Sequence, residues 1–366
     1  MSGIKTGERL TAAGSRAGAV AITLACAFVA AVGLLAAFSS SFWDALALFF
    51  LGPFQNAYYF GNMLNASIAL VLAGLGASLA FGSRNFNLGG EGQIYLGAIA
   101  ATAACLALPG SLESTAPFAG TAIAAASGTA AGALLGALSG ALKRSLGLDE
   151  LISSFLVSAA VVRVGDFLIT GPLMDASSSL LATAAVPAAY RLAKIYPPSS
   201  LSTGCFLALG AALAMQLVAR RTRFGFELRL CGKNREFARY VGVDTGAYDF
   251  WPMTLAGALH GLAGAAMILG TYHRAVKGFS AGVGWSAIAV ALVAGESPLA
   301  VVPAGLLFAY LEAGAKAVMI GADVSSELVA VVQSVVFFLV TAGALRGLFA
   351  PRRGALSRGP GAGVPR

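Results

Sequence analysis

The sequence predicts an all-α, polytopic membrane protein of about ten spans arranged as two inverted-topology repeats, and three observations carry that reading. Hydrophobic residues make up 58% of the 366 residues and charged ones only 11%, less than half of the roughly one quarter with which a soluble domain covers itself. The apolar residues gather into long segments, several near the 20 or so residues that a helix needs to cross a bilayer, and mean hydropathy is +0.80. Lys and Arg collect in every second gap between those segments, the pattern left when alternate loops stay in the cytoplasm.

The elements follow in order. Residues 1–16 form a basic segment, and residues 17–350 the membrane domain. The first span, 17–38, exceeds the roughly 7–15-residue core of a signal peptide and is read as retained. Spans at 61–81, 86–108, 117–142 and 149–170 come next, then an extracytoplasmic loop at 171–200 and a sixth span at 201–219. A basic loop, 220–243, precedes the seventh span at 247–271. The eighth, 284–295, is too short to cross as a straight helix; it is tilted, extended at its ends, or part of a broken segment. Spans at 298–320 and 326–345 complete the set, and residues 351–366, rich in Gly, Pro and Arg, are expected to be a disordered basic tail.

Charge gives the orientation. With the N-terminus inside, the cytoplasmic gaps hold eighteen Lys and Arg residues, seven of them between Arg220 and Arg239. The outer gaps hold four: Arg191, Lys194, Arg274 and Lys277. Both termini are therefore expected in the cytoplasm. The net charge of +8 is an orientation signal, and nucleic acid is not an expected partner. Trp43, Tyr58, Tyr59, Tyr190, Tyr196, Trp251 and Tyr272 fall near span ends, where amphipathic rings are favoured. The four cysteines have no close spacing, so neither a disulfide framework nor a metal site is expected, and no cofactor is implied.

Two stretches resemble each other. Phe86 to Gln93 opens a span, as Phe279 to Ser286 does later, and Leu148-Asp149-Glu150-Leu151-Ile152 matches Ser325-Ser326-Glu327-Leu328-Val329. Five crossings separate the corresponding spans, so the halves would have opposite orientation and a route for solute near their interface at the bilayer midplane.

Two readings fit the polar cluster at Asn87 to Gln93. It is a capped helix start, with Asn87 as cap and Glu91 where the helix dipole favours a carboxylate. Alternatively it is a broken helix whose polar groups line a cavity. On the second reading Phe86, Asn87, Glu91, Gln93, Trp285 and Ser286 line the route, and Phe86 and Tyr95 could stack on a planar ligand. Intramembrane charges suggest function by default, but Glu312 and Lys316 (i, i+4) and Arg163 and Asp166 (i, i+3) can each pair on one helix face, which favours structure. His260, on a Gly/Ala-rich helix, reads as a packing residue.

The loop at 220–243 goes beyond an orientation signal. Asn234 can cap a short helix through Arg239 that presents Phe237 and Tyr240 beside its charges, which suits docking onto a cytoplasmic protein. No Gly-x-x-x-x-Gly-Lys-Ser/Thr, His-Glu-x-x-His or Gly-x-Ser-x-Gly occurs, so the chain is expected to be non-catalytic.

At these residues the sequence resembles permease subunits of bacterial ATP-binding-cassette importers of the branched-chain amino acid/ribose/nucleoside group. It is most similar to nucleoside and simple-sugar permeases that work with basic-membrane-protein-type lipoproteins. Phe86-Asn87-Leu88-Gly89-Gly90-Glu91-Gly92-Gln93 is similar to that group's Phe-Asn-Ile-Gly-Ala-Glu-Gly-Gln signature. Thr222-Arg223-Phe224-Gly225, Gly232-Lys233-Asn234 and Ala238-Arg239-Tyr240-Val241-Gly242 resemble its cytoplasmic coupling loop. Leu262 to Ala265 and Gly284 to Leu292 resemble its late spans. Asp149 stands where the group usually has Asn, and Ser158-Ala159-Ala160 replaces a usual Asn-Tyr, which puts a standard nucleoside specificity in doubt.

The resemblance implies import of a small polar solute across the bacterial cytoplasmic (inner) membrane: a nucleoside first, with a simple sugar or riboflavin-like flavin as alternatives. It implies three partners: cytoplasmic ATPase subunits, a second permease subunit (identical or related), and an extracytoplasmic substrate-binding lipoprotein. Arg223, Phe224, Gly225, Gly232, Asn234, Phe237, Ala238, Arg239 and Tyr240 would couple to the ATPase. The competing reading is an ion-gradient-driven secondary transporter, which inverted repeats fit equally well.

Overall fold

The computed structural model describes residues 41–295 and 297–322, with isolated positions at 29, 32, 33, 331, 334, 335, 338 and 339. The expected spans at 17–38 and 326–345, the N-terminal segment and the tail lie outside the described residues. Among the described residues helices account for the regular structure, and strand-like pairing is limited to isolated bridges such as Met174 with Thr183.

Helix α1 is Phe42–Leu51, and a turn at Gly52–Phe54 leads to α2, Ala57–Gly82, whose cap Asn56 accepts the Tyr59 amide at 2.9 Å. Then come α3 (Gly90–Ala107), α4 (Gly110–Thr115), α5 (Pro117–Leu146) and α6 (Glu150–Thr170). Pro117 at the start of α5 has no amide to strand. Gly147 ends the helix at φ 67°, a conformation glycine adopts without strain. Asp149 caps α6 by accepting the Leu151 amide at 2.7 Å. After the long connection come α7 (Gly204–Arg221), α8 (Arg223–Lys233) and α9 (Arg235–Tyr240). The set closes with α10 (Ala247–Met267), prolonged by a π-helical turn at Ile268–Tyr272, α11 (Val283–Ala294) and α12 (Val301–Gly321).

Among the described residues six helices are long and apolar enough to cross a membrane: α2, α5, α6, α7, α10 with its π turn, and α12 with the turn before it. They divide by burial. α2 and α10 have 78% and 72% of their most apolar stretch buried, whereas α5 and α7 have 22%. The former are the axis of the bundle and the latter its rim, where Leu134, Leu138, Leu213 and Leu217 point outward.

Apolar side chains gain little from meeting each other when lipid is the alternative, so close backbone packing must hold such helices together. A seam of glycines does this between α3, α5 and α10. A Cβ on Gly132 would lie 2.2 Å from the Gly257 carbonyl, one on Gly136 2.2 Å from the Met253 carbonyl, and one on Gly97 2.5 Å from Gly261 Cα.

Candidate functional site: a pair of interrupted helices and a basic end

The predicted span at 86–108 is helical only from Gly90. Residues 85–89 run non-helically from the start of α10, where Asn85 donates to the Tyr248 carbonyl at 2.7 Å, to its middle, where Gly90 meets the His260 ring. The short α11 also begins against this point. A Cβ on Gly284 would lie 2.3 Å from the Glu91 amide nitrogen, so the N-termini of α3 and α11 abut beside His260.

Freed backbone inside a membrane protein must find partners, and here side chains supply them. Asn87 Oδ1 accepts the Gly89 amide at 2.9 Å, and Asn87 Nδ2 donates to Gln93 Oε1 at 2.9 Å. From α6, Ser154 Oγ accepts the Leu88 amide at 3.1 Å and Ser158 Oγ accepts the Gly92 amide at 2.8 Å. Glu91 serves the opposite helix: its carboxylate accepts Ser280 Oγ at 2.5 Å, the Gly282 amide at 3.2 Å and the Gly284 amide at 2.8 Å. Tyr95 donates its hydroxyl to Asp166, accepts the Gly278 amide at 2.9 Å, and packs its ring 4.9 Å from that of Phe279.

The second assembly lies at the end of the bundle that carries Lys143 and Arg144, here called the basic end. Thr222 caps α8 by accepting the Gly225 amide at 3.1 Å, and Asn234 caps α9 by accepting the Phe237 amide at 2.9 Å. α8 lies against the helix ends beneath it. A Cβ on Gly225 would lie 2.2 Å from the Val218 carbonyl, and one on Gly232 2.2 Å from that of Gly82. Phe224 stacks on Tyr248 at 5.4 Å, and Ala238 is buried with Leu79, Leu228 and Cys231. Glu227, bonded to Arg223 at 2.5 Å and accepting the Tyr248 hydroxyl at 2.8 Å, is held below the usual carboxylate range, first by the Arg223 bond. Phe237, Arg239 and Tyr240 face outward, Tyr240 with 87% of its surface exposed.

Residues 59–341 match the family model described as branched-chain amino acid transport system / permease component. The chain belongs to that permease family. It is 34% identical to the probable riboflavin import permease protein of Treponema pallidum over 92% of this chain and 88% of the relative. It is 32% identical to the guanosine ABC transporter permease protein of Bacillus subtilis, over 88% and 91%, and 29% identical to the glucose ABC transporter permease protein of Haloferax volcanii, over 81% and 80%. The chain is thus an importer permease of the ATP-binding-cassette class for a small polar solute, a transport subunit of a multi-pass membrane assembly.

The permease distributes its sequence-predicted residues unevenly. Asn87, Gln93 and Tyr95 are buried and bonded within the protein; Glu91 and Ser286 are half-buried; Phe86 and Trp285 are exposed. Asp149 and Ser158, which depart from the group's usual pattern, cap α6 and hold the Gly92 amide. Glu312 and Lys316 pair at 2.6 Å, as their spacing predicts. Arg163 reaches Asp166 only at 3.9 Å, and Asp166 has Tyr95 as a second partner that the helix-face argument did not foresee. Sequence reasoning also missed a polar cluster at the basic end. Lys143 contacts Glu150 at 2.9 Å, Asp249 at 3.6 Å and Asn85 Oδ1 at 2.7 Å, and Asp249 is gripped by Arg235, with Nη1 to Oδ1 at 2.7 Å. In sequence these are scattered loop-edge charges; no short-range spacing joins them.

Proposed function

We propose that the permease imports a nucleoside as one half of a permease pair in the bacterial cytoplasmic membrane. Both termini lie inside, residues 220–243 seat on a cytoplasmic ATPase, and a binding lipoprotein delivers solute to the opposite face, including residues 171–200. The observation that carries the reading is the two-sided construction of the basic loop. Phe224, Gly225, Gly232 and Ala238 lock it to the ends of α2, α7 and α10, while Phe237, Arg239 and Tyr240 form an outward tip of two rings and a cation. A loop that only set orientation would need the charges but neither the packed underside nor the aromatic tip. A locked loop moves the helices it holds when a motor pushes its tip, and so converts ATPase closure into a shift between outward-open and inward-open states.

The abutting starts of α3 and α11 support the two-repeat arrangement, since each repeat would contribute one helix interrupted at the same depth. Phe86 and Trp285 offer exposed ring faces at the two interruptions, suited to the heterocycle of a nucleoside or flavin; a simple sugar would use them less. Glu91, Asn87 and Gln93 shape the route from behind, and Tyr95 and Ser286 complete its wall.

The test is co-purification. Arg239→Glu and Tyr240→Ala should each lower the ATPase recovered with the permease by about tenfold, with helical content unchanged. Undiminished recovery in both variants refutes the coupling surface. Uptake by the reconstituted complex, competed in turn with guanosine, glucose and riboflavin, identifies the solute.

A further inference from the structure

Four charges at the basic end form one connected group of two cations, Lys143 and Arg235, and two carboxylates, Glu150 and Asp249. Asp249 is only 5% exposed, and a carboxylate so placed requires partners. The members come from different elements: Arg235 from the first turn of α9, Asp249 from that of α10, Lys143 from the last turn of α5, and Glu150 from the start of α6. Lys143 also donates to Asn85, and Glu150 accepts the Phe86 amide at 3.4 Å. Both therefore hold the non-helical run that ends at Gly90.

We propose that Lys143 is a positioning residue that transmits movement of α9 to the interruption before α3, along the path Arg235, Asp249, Lys143, Asn85 and Glu150. Residues 85–89 are the piece best able to respond. Side chains hold the amides of Phe86, Leu88 and Gly89 where a helical ladder would otherwise do so, so this part of the run can shift without a helix being broken. Beyond it, Glu91 carries the displacement to residues 280–284 and α11. Physical linkage alone does not make a transmission path; what does is that both ends respond to the same intermediate. Lys143 is the one member that touches both the grip on α9 and the run before α3.

This inference rests on the coupling-surface reading, and the test separates the two. The complex of permease, ATPase and binding protein is reconstituted with Lys143→Gln, Arg235→Gln, the double variant and Lys143→Arg. ATPase recovery, ATP hydrolysis and solute uptake are measured for each. Lys143→Gln should retain ATPase recovery and hydrolysis within about twofold while uptake falls about tenfold, so that solute moved per ATP drops. Lys143→Arg should restore most of it. The double variant should be no worse than the worse single, because both act on one path. Equal losses of uptake and hydrolysis, multiplicative losses in the double variant, or unchanged uptake would each overturn the proposal. If Lys143→Gln does not assemble, Asp249→Asn, close to isosteric, is held to the same criteria. Failure of the coupling surface itself would appear separately, as full ATPase recovery with Arg239→Glu and Tyr240→Ala.

Discussion

The carboxylate of Glu91 takes one hydroxyl and two amides from the segment that opens α11. Deleting it leaves those donors to find other acceptors in the protein, and a buried polar group left unmet costs about 1–3 kcal/mol. Glu91→Ala should therefore cut uptake by about tenfold or more while the ATPase still co-purifies. Glu91→Gln should be impaired as well, because whichever way it turns, its amide nitrogen faces a backbone donor, that of Gly284 or that of Gly282. Wild-type uptake in Glu91→Gln would show that the bonds can rearrange at no cost. At this scale the sequence was informative about residue types and poor about their partners. Asn87 and Glu91 stand out as polar residues opening an apolar run, yet the donors that Glu91 satisfies lie about 190 positions away. Ser154 and Ser158 look like ordinary small residues until Leu88 and Gly92 are seen to need them.

At the scale of the element, the glycine seam decides which helices lie together. α5 and α10 approach so closely that a Cβ on Gly132 would sit 2.2 Å from the Gly257 carbonyl, and backbone cannot move aside as a side-chain end can. Gly132→Val should separate the two helices at a cost of about 1–3 kcal/mol, read as a thermal midpoint lowered by several degrees in detergent. Gly210→Ala on α7, which has nothing within 4 Å, is the control and should shift little. Equal midpoints for the two variants would mean that the seam contributes no stability. The α9 helix and its Asn234 cap were legible in advance, because capping is written in residues three apart. The start of the third span was open in advance, since Asn87 read either as a cap or as part of a broken helix; the helix begins at Gly90 after Gly89, and Asn87 bonds the Gly89 amide within the non-helical run instead of capping the helix. The brevity of the eighth segment was the visible trace of the same device in α11.

Across the whole molecule, composition and the alternation of basic gaps carried the class of protein, since both follow from what a bilayer excludes. They are silent about which helices occupy the axis. α2 and α10 are no more apolar than their neighbours in any decisive way, with hydropathies of 1.9 and 1.5 against 1.5 for α5, yet they are the buried ones. For α10 that position depends on glycine spacing on α3 and α5, a property of pairs of helices that no single segment displays.

The meeting of two helix starts over one acid has an electrostatic consequence. Each start brings roughly half an elementary positive charge, and Glu91 subtracts one, so the spot where they meet exerts almost no net pull on an ion. On the proposed route a phosphomonoester would shed hydration there and receive nothing in return, whereas an uncharged cargo would leave as readily as it arrives. Nucleoside 5′-monophosphates should accordingly fail to inhibit uptake at concentrations where the parent nucleoside halves it; equal inhibition would place an anion-attracting group elsewhere on the path. Discrimination against phosphorylated metabolites would then begin in the dipoles of the main chain, before any side chain reads the cargo.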